Sequence, residues 1–186
     1  KDAEDKGLKV ARVHTGDPAI YGAHREQMDR LDELGIDYEV IPGVSSFLAT
    51  AAVLKKEYTL PGVSQTVILT RMEGRTPMPP KEKLVDLAKH NATMIIFLSV
   101  GMLDEMSAIL RQEYRPETRV AVVYKATWED QKIVRGDLTN IAERVKEAGI
   151  TKTALTVVGD FLGNDYDLSK LYDKTFTTEF RKGVTE

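Results

Sequence analysis

The sequence predicts an α/β fold, and three observations carry that prediction. Short apolar or β-branched runs alternate with helix-period segments along the whole chain. Tight turns, Gly16-Asp17-Pro18 and Pro42-Gly43, fall where a strand would hand over to a helix. Only Ala126-Thr127-Trp128-Glu129 separates two β-type runs in the second half. That is a hairpin-length connection, so the pair should be antiparallel and the second sheet mixed.

The polar start, Lys1 to Lys6, reads as the end of a solvated helix stopped by Gly7. Leu8 to Thr15 reads as a strand. Tyr21 to Leu34 has helical spacing and closes on Gly35. Asp37 to Ile41 reads as a short strand, Pro42-Gly43 as a turn, and Ser45 or Ser46 as the cap of a helix through Phe47, Leu48, Ala51 and Leu54. The first 57 residues thus read β-α-β-α. Glu57 to Ser64 breaks the pattern, and its Pro61-Gly62 makes residues 58–64 a linker.

In residues 65–186, Gln65 to Thr70 is β-branched and reads as a strand. Arg71 to Pro80 reads as a loop and Lys81 to Lys89 as a short helix. Thr93 to Val100 is nearly all apolar, the mark of a central strand. Met102 to Gln112 places Leu103, Met106, Ile109 and Leu110 on one helix face. Arg119 to Lys125 and Asp130 to Arg135 form the expected hairpin. Leu138 to Ala148 is a helix with Asp137 as its cap and Gly149 as its stop, and Thr153 to Val158 is a last strand.

Composition narrows the function classes. A net charge of −3 gives no basic surplus for nucleic acid. With no cysteine, disulfides, thiolate catalysis and Cys-based metal sites are excluded. No apolar run has the length of a membrane span. His14, His24 and His90 lack metal-ligand spacing, and His14 reads as locally packed.

Four constellations could carry chemistry. Gly16-Asp17-Pro18 is either a ligand turn, with Gly16 allowing close backbone approach and Asp17 accepting hydrogen bonds, or an ordinary turn with Asp17 as an N-cap. Pro42-Gly43-Val44-Ser45-Ser46 stands at the next strand end and is either a second ligand loop or only a helix cap. Tyr124-Lys125-Ala126-Thr127-Trp128 ends a strand with a small residue between polar ones, which would let an adenine or ribose pack on backbone; the alternative is a hairpin turn. Arg71-Met72-Glu73-Gly74-Arg75-Thr76-Pro77 offers two arginines to carboxylates, or is a solvated loop. Neither Gly-x-Gly-x-x-Gly nor a Walker A pattern occurs, so dinucleotides and nucleoside triphosphates have no sequence support.

In their order and spacing these stretches resemble the tetrapyrrole (corrin/porphyrin) methylase family. The resemblance runs from Arg12-Val13-His14-Thr15-Gly16-Asp17-Pro18-Ala19-Ile20-Tyr21-Gly22 and Ile41-Pro42-Gly43-Val44-Ser45-Ser46 through Ser64 to Arg71. It continues in Gly74-Arg75-Thr76-Pro77, Val122 to Trp128 and Lys152-Thr153-Ala154-Leu155. The Thr-Arg-x-Glu-Gly-Arg-Thr-Pro and Tyr-Lys-Ala-Thr-Trp stretches are most like its precorrin-4 or cobalt-precorrin-4 C11-methyltransferase branch.

The resemblance implies two α/β domains with a cofactor cleft between them, and methyl transfer from S-adenosyl-L-methionine to a ring carbon of a polycarboxylate tetrapyrrole in cobalamin biosynthesis. It implies cofactor contacts from Gly16, Asp17, Ile20, Ser45, Ser46, Val100, Ala126 and Ala154. Arg71, Arg75 and Lys125 are the candidates for substrate carboxylates. It also implies a homodimer with no protein-held metal, while the composition itself points to a cytoplasmic protein with neither a membrane nor a nucleic-acid partner. A sulfonium methyl donor needs no enzyme nucleophile; holding the reactants in line contributes about 7–11 kcal/mol, which fits the absence of a His/Asp/Cys cluster. No catalytic residue is assigned. The family's opening strand and Gly-x-Gly-Pro-Gly-Asp turn are absent here, which implies a truncated first domain lacking about two strand–helix units of about 30 residues each, and weak or no cofactor binding by these residues alone. The other readings are a tetrapyrrole methylase with a different methylation position, a non-catalytic α/β module for a nucleotide or small ligand, and a dimerising scaffold.

Overall fold

Strand pairing organises the second half of the chain. The computed structural model describes residues 1–184. It contains helices α1 (Arg25–Glu33), α2 (Ser46–Leu54), α3 (Leu84–Ala88), α4 (Leu103–Leu110) and α5 (Ile141–Glu147). Its strands are β1 (Val67–Arg71), β2 (Thr93–Phe97), β3 (Arg119–Tyr124), β4 (Lys132–Asp137) and β5 (Ala154–Val158). Two compact units divide the chain, residues 1–49 and 50–186.

The second unit is built on one five-stranded sheet of order β1-β2-β5-β3-β4. β1 and β2 are parallel, and every other pairing is antiparallel. The α/β class, the mixed sheet and the β3–β4 hairpin all agree with the sequence reading. β2 (Thr-Met-Ile-Ile-Phe) is buried at every position, as its unbroken apolar run requires. Side chains alternate between faces with period two. Met94, Ile96, Val120, Val122 and Val158 face the helical layer and pack with Leu103, Met106 and Leu110 of α4 and Ile141 and Val145 of α5. The intervening Ile95, Ala121, Val123 and Val157 are equally buried, so both faces are covered. Tyr58 and Phe161 add an edge-to-face pair with centroids 5.1 Å apart.

Residues 50–64 pack within this unit. Leu54 and Tyr58 are buried. Thr93 Oγ1 donates to Tyr58 O at 2.9 Å, and Asp167 N donates to Pro61 O at 3.0 Å. Leu60 and Ser64 form a bridge across the Pro61-Gly62 turn. Ser99 Oγ accepts from Met72 N at 2.8 Å and donates to Phe97 O at 2.6 Å, tying the ends of the parallel pair together. α5 begins three residues later than expected. Asp137 ends β4, and its carboxylate receives the Thr139 N–H at 2.8 Å and Asn140 Nδ2 at 2.9 Å, so it caps the turn before the helix, whose N-cap is Asn140.

The first unit departs from the β-α-β-α expectation. α1 forms over Arg25–Glu33, with Leu34 as its C-cap and the left-handed Gly35 just past it. Leu8 to Thr15 and Asp37 to Ile41, however, belong to no ladder among the described residues. Leu8, Val10 and Val13 are exposed, as are Val40 and Ile41. β-type composition makes a segment fit to be a strand, but only inter-strand hydrogen bonds make it one. What organises the unit instead is a clamp between its two turns. Asp17 Oδ2 accepts from Gly43 N at 2.7 Å and Oδ1 accepts from Ala19 N at 2.8 Å. The loops touch so closely that a Cβ on Gly43 would stand 2.1 Å from Gly16 O. Gly16 itself takes φ +67°, which favours glycine.

Two outcomes follow from these contacts. Ile96→Ala, in the fully buried centre of β2, should lower unfolding stability by about 2–5 kcal/mol; an unchanged urea midpoint by circular dichroism would contradict its place in the core. The Gly43 and Ala19 N–H groups, with His24 nearby, hold the Asp17 carboxyl below the ordinary aspartate range. Because the folded-state pKa is the lower one, the clamp is intact at neutral pH and fails as pH falls through that depressed value. The Gly43 amide resonance should therefore titrate with a midpoint below that of an ordinary aspartate, and should lose this titration in Asp17→Asn.

Candidate functional site

In the first unit, the structure brings Gly16, Asp17, Ser45 and Ser46 together. A Cβ at Gly16 would lie 3.5 Å from Ser45 Cα and 3.6 Å from Ser46 N, so the two turns meet backbone to backbone. Ser45 is buried and Ser46 exposed. Ile20 N donates to Asp17 O at 3.3 Å, closing the turn that leads out of Pro18. Tyr21 and Ala23 continue with positive φ. The Asp17 carboxylate spends both oxygens on backbone N–H groups of its own unit. Its role in this geometry is to hold the second turn against the first, and the exposed side chains of the second turn include Val44 and Ser46. His14 and His24 stack edge to face with centroids 5.9 Å apart, the local packing expected of His14.

In the second unit, strand register decides which candidates share a place. Arg71 pairs with Phe97, and Tyr124 pairs with Ala154. β1, β2 and β3 therefore end, and β5 begins, on one edge of the sheet. Lys125 extends the ladder there by donating its N–H to Thr153 O at 3.0 Å. Ala126 and Ala154 are half-buried on this edge. Val100 is buried just past it; β2 stops at Phe97, so Val100 opens a 3₁₀ turn and does not end the strand.

The three candidates for substrate carboxylates differ in their availability. Arg71 Nη1 donates to the carbonyls of Met72 and Thr76, both at 3.1 Å, and Nη2 to that of Pro77 at 2.8 Å. Its guanidinium shapes the 72–77 loop. Arg75, on that loop, is exposed and has no ion-pair partner among the described residues. Lys125 Nζ pairs with Asp130 at 2.5 Å and lies 5.1 Å from the Tyr124 ring centroid and 5.2 Å from that of Trp128. The hydrogen bonds to Asp130 and Tyr124 raise the lysine pKa, and the same pair lowers that of Asp130. Lys125 is a fixed cation held between two aromatic faces.

The sequence reading missed the backbone of this edge. Among the described residues eight non-glycine positions have positive φ, and Leu98, Lys125, Thr127 and Thr153 all lie here. For threonine this region is a genuine outlier. Leu98 is also strongly exposed. No glycine or asparagine marks these positions, so the sequence held no signal for them. Among the described residues there is no cluster of three His, Asp or Glu side chains able to hold a metal, and no helix is long and apolar enough to cross a membrane.

Comparison with known proteins gives this geometry a family. Residues 1–142 match the family of Tetrapyrrole (Corrin/Porphyrin) Methylases. A cobalt-precorrin-4 C(11)-methyltransferase of Methanocaldococcus jannaschii is 61% identical over 182 residues, covering 97% of this chain and 70% of the relative. One from Priestia megaterium is 50% identical over 188 residues, covering 98% of this chain and 73% of the relative. The X-ray structure of a cobalamin biosynthetic enzyme, cobalt precorrin-4 methyltransferase, superposes with a TM-score of 0.86 at 46% identity, covering 88% of this chain and 69% of that one. The fold also extends to a Thermus thermophilus uroporphyrin-III C-methyl transferase solved with S-adenyl homocysteine, at TM-score 0.65 and 23% identity over 79% of this chain and 64% of that one. The match over residues 1–142 and the 61% identity across nearly all of its length place this chain in the tetrapyrrole (corrin/porphyrin) methylase family.

Proposed function

We propose that the protein is an S-adenosyl-L-methionine-dependent methyltransferase acting on ring carbon C11 of precorrin-4 or its cobalt form, in cobalamin biosynthesis. The observation that carries this reading is the 61% identity to a cobalt-precorrin-4 C(11)-methyltransferase across 97% of the chain. The site chemistry supports it. The cofactor supplies a methyl group already activated by its sulfonium, so the protein needs no nucleophile and no metal of its own for that step. The chain's task is placement. In the first unit Gly16, Ile20, Ser45 and Ser46 serve the cofactor through a backbone surface that Asp17 holds in shape. In the second unit the small side chains of Ala126 and Ala154 leave backbone open to a flat ring, beside the buried Val100. Arg75 and Lys125 supply cations toward a polycarboxylate substrate, and Arg71 positions the loop that carries Arg75. A cytoplasmic homodimer that works without nucleic acid completes the reading; the net charge of −3 supports the last point.

Methyl transfer is tested with the protein, S-adenosyl-L-methionine labelled in its methyl group, and precorrin-4 or cobalt-precorrin-4. The expected product is the macrocycle carrying one additional labelled methyl, located at C11 by NMR. An unlabelled macrocycle would overturn the reading, and a label on another ring carbon would favour a methylase of different position.

A second outcome separates the arginines. Arg75→Gln should raise KM for the tetrapyrrole roughly tenfold, the loss of about one charge-assisted hydrogen bond, with kcat nearly unchanged. Arg71→Gln removes three bonds within the loop and should lower kcat as well. A KM unmoved by Arg75→Gln would remove that residue from the substrate site.

A further inference from the structure

Ser99 departs from the usual task of a serine at the start of a helical turn. It stands at the N-cap of the 3₁₀ turn Val100–Met102, where a serine hydroxyl ordinarily accepts an N–H of the turn it opens. Here it accepts none of them. The residue is buried, with 1% of its surface exposed, and its hydroxyl reaches across to the end of β1. The oxygen accepts from Met72 N at 2.8 Å, and its single proton goes to Phe97 O at 2.6 Å. Register shows what this replaces. The parallel ladder ends at the pair Arg71 and Phe97, and Leu98 leaves it with φ +54°. Beyond that pair the Met72 N–H meets the Ser99 hydroxyl instead of a β2 carbonyl, so a side chain carries the ladder one bond further.

Both sides of this bond lead to candidate site residues. Met72 opens the 72–77 loop. Arg71 Nη1 holds its carbonyl at 3.1 Å, so Met72 is fixed through N–H and C=O alike. Arg75 lies further along the same loop. A Cβ on Gly74 would lie 3.9 Å from Met102 Cε, which sets the loop beside the 3₁₀ turn. Val100 follows Ser99 directly and is buried. One hydroxyl thus joins the loop that bears the exposed cation to the turn that bears Val100. Methyl transfer depends on how the two reactants are placed. Without the hydroxyl the Met72 N–H would be buried and unpartnered, which costs more than the bond itself is worth, and the loop would shift until water reached it.

We infer that Ser99 is a positioning residue for methyl transfer, acting through Met72 on the loop that presents Arg75; the inference rests on the methyltransferase reading. Ser99→Ala should raise KM for the tetrapyrrole roughly fivefold, the effect of one hydrogen bond. Added to Arg75→Gln, it should raise KM no further. An enzyme that is merely destabilised loses active molecules, which lowers kcat and leaves KM in place. Ser99→Cys fills the same space with a poor hydrogen-bonding group and should behave like Ser99→Ala; it also keeps the test decisive if the alanine variant does not fold. In the absence of substrate, the backbone heteronuclear NOEs of Gly74, Arg75 and Thr76 should fall in both variants, while those of the β3–β4 hairpin stay unchanged. An unchanged KM or unchanged NOEs in a folded variant would overturn the role. So would a wild-type KM in Ser99→Cys, which would reduce the serine to packing, or additive effects of Ser99→Ala and Arg75→Gln. Any of these results in a protein that methylates the macrocycle refutes the inference alone, whereas a macrocycle left unmethylated refutes the methyltransferase reading, whatever the NOEs show.

Discussion

The placement of β5 governs what the second unit can do. β5 lies antiparallel between β2 and β3, although it is last in the chain. An antiparallel strand in that slot makes β3 parallel in direction to β1 and β2. The loops after all three strands therefore leave from one edge, and the start of β5 joins them there. Arg71, Val100, Lys125, Ala126 and Ala154 span 84 residues of sequence, and this single pairing gathers them. The same pairing sends the beginning of β3 and the end of β4, with Arg119 opposite Asp137, to the other edge. A ladder from Ala154 to Val158 thus separates two polar regions by the length of a buried strand.

Such an edge has to be held open against its own preferences. Four non-glycine residues at positive φ, each costing about 1–3 kcal/mol, would relax if the surrounding backbone allowed it. The ladder prevents that at Lys125, whose N–H is bonded to Thr153 O. Thr127 is held by the donation of its N–H to Gln131 Oε1 at 2.7 Å. Leu98 stands between β2 and Ser99, and the Ser99 hydroxyl is fixed to both Phe97 and Met72. The covered core behind β2 and β3 supplies the stability that tolerates this strain. The strained backbone thus coincides with the edge that carries a fixed cation, Lys125, and two small side chains, Ala126 and Ala154.

How much of this was legible in the sequence depended on whether the information was local. The run Thr93 to Phe97 announces burial on both faces because every residue in it is compatible with burial. The four-residue link at 126–129 announces a hairpin because nothing longer intervenes. Leu8 to Thr15 looked equally strand-like, and Asp37 to Ile41 nearly so. Their composition records only what a strand would tolerate, and the missing ingredient, a paired neighbour, is non-local. The same holds for the site. Gly16 and Gly43 advertise close approach because lacking a Cβ is a property of the residue itself. Leu98, Thr127 and Thr153 adopt glycine-like backbone through what surrounds them, which one-dimensional pattern cannot carry.

Asp17 shows how a correctly placed residue can hold a different task from the one its chemistry suggests. A carboxylate in a Gly-Asp-Pro turn is an obvious acceptor for a ligand hydroxyl or ammonium group. In the folded chain both of its oxygens already receive backbone N–H bonds, one from within the turn and one from Gly43 across the loop. A ligand that took the bond from Gly43 would release the second turn and lose the close backbone contact between Gly16 and Gly43. The carboxylate therefore acts through geometry: it fixes the Gly16 turn against the one that carries Ser45 and Ser46. Because the bonds favour the ionised form, the clamp is complete throughout the neutral range, and the turn's shape there is independent of pH.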